Sequence, residues 1–168
     1  DFEGKEVLYL FLSSARQRIG DYEGANAALD ESLTINPEYA RAYISRGNIF
    51  YAQSQIQTFD SQKLEAALAE YQRAAQALDK PAGAYVDAKI EIAIGNAHLV
   101  LAQYSKNPEA FTSALNCYQR VTMQYERIEN AELRNVVSRA YFGIGVVYEK
   151  LGKCAEAERA YRNCLSLV

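Results

Sequence analysis

The chain has 168 residues, of which 49% are hydrophobic and 23% are charged, a balance typical of a folded globular protein. This length accommodates one globular domain or one short helical-repeat array. The net charge of −3 has the wrong sign for a protein that binds the phosphate backbone, so the sequence disfavours a nucleic-acid-binding function.

Apolar residues recur every three or four positions along the chain, the spacing of one helical face, and no segment alternates with the period of a strand. Cap residues and prolines mark helix starts at Asn36–Pro37, Asp60 or Ser61, Pro81 and Asn107–Pro108. Gly20 and Gly152 each stand where one helix ends and the next begins. The sequence therefore predicts an all-α protein, a single domain over residues 1–168, with helices near 5–19, 22–35, 38–54, 61–79, 82–104, 108–128, 130–151 and 154–167.

A motif with regular steps stands in the stretch AYFGIGVVYEKLGKCAEAERAYRNCL, residues 140–165. An aromatic residue is followed by a small residue and a second aromatic, and then by an alanine, another aromatic and another small residue. The positions in this stretch are Tyr141, Gly145, Tyr148, Ala157, Tyr161 and Cys164. Three earlier parts of the chain carry related patterns, at Gly20, Ala25, Leu29 and Ser32, at Tyr43, Gly47, Phe50, Ala67, Tyr71 and Ala74, and at Ile94, Gly95, His98, Ala114, Tyr118 and Val121.

These patterns resemble the tetratricopeptide repeat, a helix-turn-helix unit of about 34 residues. The resemblance implies a right-handed superhelical solenoid of about eight antiparallel helices, with small residues where helices approach closely and tyrosines packed between them. The middle two units are longer than usual, because Gly47 and Gly95 are 48 residues apart and Gly95 and Gly145 are 50. Helices lengthened by a turn or two explain the difference. The predicted units span approximately residues 6–39, 40–87, 88–137 and 138–168.

The sequence departs from the repeat pattern at several positions. Arg46 stands in place of a leucine, and His98 in place of an aromatic residue. The chain begins at Asp1 rather than at Met, and it ends one residue short of the proline position of the fourth unit. Because a repeat array normally ends in a polar capping element, we expect the chain to be a fragment of a larger protein, with more residues after Val168.

The cysteines give a weak indication of compartment. Cys154 and Cys164 lie ten residues apart on one predicted helix, which separates them by about 15 Å, too far for a disulfide. Free thiols, including Cys117, favour a reducing compartment, so a cytoplasmic location is expected. The most apolar segment, residues 90–102, is interrupted by Glu91, Asn96 and His98, and therefore no membrane insertion is expected.

Signals of catalysis are nearly absent from the sequence. The single histidine, His98, occupies a packing position of the repeat, and no cysteine lies near it in sequence. The stretch GIGVVYEKLGK fits neither glycine-rich phosphate-binding pattern, and no Cys-x-x-Cys or His-Glu-x-x-His motif is present. We therefore predict a non-catalytic protein without a cofactor or a metal.

The resemblance also points to a binding surface, since one stripe of each unit's first helix lines the concave groove of tetratricopeptide proteins. Arg41, Lys89 and Arg139 recur in one register of this stripe, and Asn48 and Asn96 recur in another. In peptide-binding members an asparagine in that position holds the backbone of the bound segment, and a basic row favours an acidic group. The predicted peptide-binding residues are Arg41, Ile44, Asn48, Tyr51, Lys89, Ile92, Asn96, Leu99, Arg139 and Phe142. In the first repeat unit the same stripe comprises Val7, Leu10, Ser14 and Gln17. In the fourth repeat unit it continues from Phe142 to Val146 and Glu149.

The leading hypothesis is a protein–protein interaction module that binds a peptide segment of a partner on this concave face. The carboxylate clamp of chaperone-binding members is not present, because Ile44 stands where that clamp has a lysine. Two alternatives stay open. The chain could be a self-assembly scaffold that forms a homo-oligomer through Leu165, Leu167 and Val168 of the last helix, or a regulatory or sensor segment of a larger multidomain signalling protein.

Overall fold

A computed structural model of the chain describes residues 4–56, 58–77, 83–105, 107–125 and 130–168. Within these residues all regular structure is helical, which confirms the all-α prediction. The predicted helix ends at residues 78–79 and 126–128 and the predicted helix start at Pro81 lie outside the described residues. The helices are α1 (Lys5–Arg18), α2 (Tyr22–Ile35), α3 (Ala40–Gln53), α4 (Ser61–Gln76), α5 (Gly83–Ser105), α6 (Pro108–Tyr125), α7 (Ala131–Lys150) and α8 (Cys154–Leu165).

Side-chain caps explain where several helices begin. Asp60 caps α4 by accepting the backbone N–H of Lys63 at 3.1 Å, as the sequence predicted. Asn107 accepts the N–H of Glu109 at 2.9 Å, and α6 begins at Pro108. The start of α3 differs from the prediction. Asn36 accepts the N–H of Glu38 and so closes a turn before the helix, which begins only at Ala40.

Two of the connections between helices contain a glycine in the left-handed backbone conformation. Gly20 and Gly152 have φ values of 82° and 71°, a region that glycine adopts at little cost. Beyond each glycine, the next backbone N–H reaches back over five residues, from Asp21 to the carbonyl of Arg16 and from Lys153 to that of Tyr148. This is the Schellman arrangement, which satisfies the free carbonyls of a helix end and turns the chain into the next helix.

The helices group by contact into two compact units, Asp1–Ala82 and Gly83–Val168. Within each unit, consecutive helices pair as hairpins, and the first helices of the two hairpins also touch, α1 with α3 and α5 with α7. The short connections make neighbouring helices antiparallel. This arrangement confirms the predicted helix-turn-helix repeats, whereas the single domain over residues 1–168 stays a prediction.

Each unit has its own hydrophobic core. In the first unit the core brings together Ala25 and Leu29 of α2, Tyr39, and Ala42 and Ile49 of α3. The hydroxyl of Ser32 donates to the carbonyl of Glu6 at 2.8 Å and ties α2 to α1. In the second unit the core joins α5, α6, α7 and α8, and its members include Ile92, Tyr118, Val121, Val136, Ala140, Val147 and Ala160.

Candidate functional site

The tyrosines of the second helices pack directly on glycines of the first helices. A Cβ atom added at Gly47 would lie 2.5 Å from the ring of Tyr71, and one added at Gly95 would lie 2.7 Å from the ring of Tyr118. Only glycine allows so close an approach of the two helices. The predicted packing of small residues against tyrosines is confirmed in three hairpins, by the pairs Gly47 with Tyr71, Gly95 with Tyr118 and Gly145 with Tyr161.

The asparagines of the predicted binding stripe are hydrogen-bonded to these tyrosines. The Tyr71 hydroxyl donates to Oδ1 of Asn48 at 2.9 Å, and the Tyr118 hydroxyl donates to Oδ1 of Asn96 at 2.7 Å. Burial raises the pKa of Tyr71 well above its usual range, so this hydroxyl keeps its proton and remains a donor. Sequence reasoning missed both bonds. The recurrence of Gly-Asn on the first helix with a tyrosine on the second is the signal that could have found them.

In the last hairpin a carboxylate takes the place of the amide. The Tyr161 hydroxyl donates to Oε2 of Glu149 at 2.9 Å. Burial, the hydrogen bond to Glu149 and the negative charge of that carboxylate together raise the pKa of Tyr161 to about 12. The ring of Phe142 lies beside the same tyrosine, with a distance of 5.9 Å between ring centroids and a tilt of 46°.

The basic row of the predicted site lies at the surface. Arg41 and Arg139 are exposed, and neither takes part in an ion pair or a hydrogen bond among the described residues. Lys89 is also exposed, and its ammonium group lies 5.2 Å from the centroid of the Tyr85 ring. Other arginines of the chain do pair with carboxylates, namely Arg16, Arg46, Arg73, Arg120 and Arg162.

The apolar and aromatic side chains among the predicted peptide-binding residues are only partly at the surface. Ile92 is 3% exposed and belongs to the core of the second unit. Ile92 was predicted to contact a peptide, but its side chain is buried in the structure because α5 packs against both α6 and α7. Ile44, Tyr51 and Leu99 are half-buried. Phe142 is 56% exposed and is the predicted apolar residue most accessible to a ligand.

The residues considered for catalysis do not form a reactive group. His98 is half-buried, and burial lowers its pKa. Cys117 is buried, and burial together with the nearby carboxylate of Glu91 raises its pKa to about 11, which keeps the thiol protonated at neutral pH. Among the described residues no group of histidines, cysteines and carboxylates could hold a metal ion. None of the described helices is both long enough and apolar enough to cross a membrane.

Comparison with known proteins identifies the repeat. The family model of the tetratricopeptide repeat (TPR) matches residues 7–39 and 138–167. The first range covers α1 and α2, and the second covers α8 and most of α7. No curated protein shows significant sequence similarity to the chain.

Solved structures show the same fold at low sequence identity. The structure of a point mutant of MamA is 17% identical over 97% of this chain and 77% of its own, with a TM-score of 0.54. YrrB, described as a TPR protein with an unusual peptide-binding site, is 16% identical over 98% of this chain and 88% of its own, with a TM-score of 0.52. The family match identifies the first and last helix hairpins as tetratricopeptide repeats, and the solved structures share the fold of nearly the whole chain.

Proposed function

We propose that the chain is a protein-interaction module that binds a peptide segment of another protein on the first helices of its repeat units. The matched tetratricopeptide repeats support this role, as does the peptide-binding site described for YrrB. A stack of helices offers a preformed surface, so the receptor loses little conformational freedom on binding.

The observation that carries the proposal is the pair of unpaired arginines on the first helices. Arg41 on α3 and Arg139 on α7 occupy equivalent repeat positions, and both are exposed without a carboxylate partner among the described residues. A guanidinium group at such a position is available to a carboxylate of a bound segment. Within the second unit, Lys89 lies on α5, the helix that packs beside α7, so Lys89 and Arg139 form a basic row there.

The hydrogen bonds of the asparagines refine what the stripe can recognise. Because Oδ1 of Asn48 and of Asn96 already accepts a tyrosine hydroxyl, one of the two acceptor positions of each amide oxygen is occupied, and each amide offers its N–H donors. The two side chains are therefore suited to bind backbone carbonyl groups of the segment. In the compact unit of residues 1–82 the same face includes Arg41, Ile44 and Tyr51. In the compact unit of residues 83–168 it includes Lys89, Asn96, Leu99, Arg139 and Phe142.

Peptide selection with charge-reversed variants tests this proposal. Peptides are selected from a random phage-displayed library on the wild-type chain, and their affinities are measured by isothermal titration calorimetry. We expect Lys89→Glu and Arg139→Glu each to weaken binding about tenfold, since each replaces an attraction by a repulsion. Arg159→Glu is the matched control, because Arg159 is an exposed arginine without an ion pair among the described residues and lies on α8, a second helix.

The proposal fails if no peptide is selected, or if Arg159→Glu weakens binding as much as the other two changes. Thermal unfolding of each variant is measured alongside, and unchanged melting temperatures assign the loss to the contact rather than to the fold. These charge changes are cleaner than asparagine substitutions, which would also remove the acceptor of a buried tyrosine hydroxyl.

Self-association through the last helix stays a prediction. Leu165 and Val168 are 73% and 96% exposed, whereas Leu167 packs against the core of the second unit. The apolar surface available to a second copy at this helix therefore comprises two of the three predicted side chains. Sedimentation velocity at increasing concentration separates a monomer from an assembly. The alternative of a regulatory or sensor segment of a larger signalling protein also stays a prediction.

A further inference from the structure

The residue that accepts the tyrosine hydroxyl is neutral in two hairpins and carries a carboxylate in the last one. Asn48 and Asn96 provide a neutral amide oxygen, and Glu149 provides a carboxylate in the last hairpin. An amide already satisfies the hydroxyl in the middle hairpins, so the hydrogen bond alone does not require a negative charge. The charge of Glu149 therefore has no counterpart in the packing of the other hairpins.

Glu149 is also a costly place for a carboxylate. Helix α7 ends at Lys150, so Glu149 lies in its last turn. The partial negative charge of the helix C-terminus disfavours an anion there. The side chain is exposed and forms no ion pair among the described residues. Lys150, the next residue in sequence, points about 100° away around the helix, and the ammonium group of Lys153 lies 5.9 Å from the centroid of the Tyr148 ring.

Aromatic surface lies next to this carboxylate. Glu149 accepts the hydroxyl of Tyr161, and the Tyr161 ring in turn lies beside that of Phe142. Phe142 and Glu149 are seven residues apart on α7 and so share one face of the helix. A carboxylate beside a half-buried tyrosine ring, with an exposed phenylalanine ring next to that tyrosine, is an arrangement that binds a cationic side chain, by charge and by cation–π attraction together.

We propose that Phe142, Tyr161 and Glu149 form a subsite for a lysine or arginine side chain of the bound segment. The inference rests on the proposed function, because it places one residue of the partner on the binding face of the second unit. The partner segment would then carry a basic residue at Glu149 and an acidic residue at the basic row that includes Arg139. Arg139 and Glu149 are ten positions apart, which corresponds to about 15 Å along α7.

Titration with two capped amino acids tests the subsite without knowledge of the partner. N-acetyl-arginine methylamide and N-acetyl-norleucine methylamide are added to the isotope-labelled chain, and the resonances of Tyr161 and Glu149 are followed by NMR. We expect the arginine compound to shift these resonances saturably and the norleucine compound to leave them unchanged. In Glu149→Gln the arginine compound should bind about fivefold more weakly, a loss on the scale of one exposed charge pair.

Glu149→Gln is a matched variant because the glutamine retains an oxygen acceptor for Tyr161, as the asparagines do in the middle hairpins. Phe142→Leu, a change at an exposed position, should also weaken binding of the arginine compound.

The proposed subsite is wrong if the arginine compound does not bind, if it binds Glu149→Gln as tightly as the wild type, or if the norleucine compound binds as tightly as the arginine compound. If selected peptides still depend on Lys89 and Arg139 in that case, the proposed function stands without this subsite. If the arginine compound binds through Glu149 but no peptide is selected, the proposed function fails instead.

Discussion

The first and last hairpins, α1–α2 and α7–α8, both match the repeat family, yet the two positions of the glycine–tyrosine contact hold different residues. In the last hairpin the ring of Tyr161 lies against Gly145. In the first hairpin the equivalent residues, Ser13 and Leu29, are both fully buried. A larger side chain on one helix is matched by a smaller one on the other, which conserves the volume of the contact.

This exchange also decides what the first helix must carry on its surface. Tyr161 brings a hydroxyl that needs an acceptor, and Glu149 provides it. Leu29 has no hydroxyl, so Gln17, at the position equivalent to Glu149, has no such bond to accept. The residue at this position of the predicted binding stripe therefore depends on the side chain of the second helix that it contacts.

A second comparison lies within the second unit. Tyr118 is held between two glycines, since added Cβ atoms would lie 2.7 Å from its ring at Gly95 and 2.6 Å at Gly143. Its exposed fraction is 0%. Tyr161 has a glycine on one side and is half-buried, so its ring can shift toward solvent. The same glycine–tyrosine contact should thus be rigid in one hairpin and tolerant in the other.

The largest effect is therefore expected at Gly95. Gly95→Val should lower the free energy of unfolding by about 3 kcal/mol, and Gly145→Val should lower it by about 1–2 kcal/mol. The difference arises because the Tyr118 ring cannot move away from α5 without meeting α7. Chemical denaturation followed by circular dichroism measures both values.

Ala155→Val serves as a control for the cost of a β-branched residue in a helix, because Ala155 is exposed on α8. Its cost should be a few tenths of a kcal/mol. Equal losses at Gly95 and Gly145 would show that the second glycine does not confine the ring of Tyr118.

The next effect concerns the tyrosine–asparagine bond. Asn48→Ala removes the acceptor of the Tyr71 hydroxyl. Because Tyr71 is only 1% exposed, the substitution should lower the free energy of unfolding by about 1–2 kcal/mol. In a Tyr71→Phe background the same substitution should cost only a few tenths of a kcal/mol, because no hydroxyl is then left without its acceptor. A double-mutant cycle of unfolding free energies measures this coupling. Identical costs in both backgrounds would mean that the bond contributes nothing to stability.

Local patterns were enough to predict most of the fold. Helix periodicity and the caps at Asp60 and Asn107 place the helices within a few residues, and the repeat spacing predicts the glycine–tyrosine contacts. The start of α3 was wrong because a cap residue such as Asn36 can equally close a turn before the helix.

The candidate site was harder to predict, since it depends on contacts between distant residues. The bond from Tyr118 to Asn96 joins residues 22 positions apart and depends on the orientation of both side chains. Ile92 shares the helical periodicity of Phe142, but contact of α5 with both α6 and α7 buries it. Periodicity identifies one face of a helix, and it does not show how many neighbours cover that face.

The smallest net effect is expected when the last hairpin receives the residues of the first. Gly145→Ser alone should be destabilising by overlap with the Tyr161 ring, and Tyr161→Leu alone by loss of packing, each by about 1–2 kcal/mol. The double variant restores the Ser13–Leu29 combination, and the leucine leaves room for the serine, so its cost should be below about 1 kcal/mol. Unfolding free energies of the two single variants and the double variant measure the coupling. If the two losses simply add, the hairpins do not share one contact that is filled in two ways.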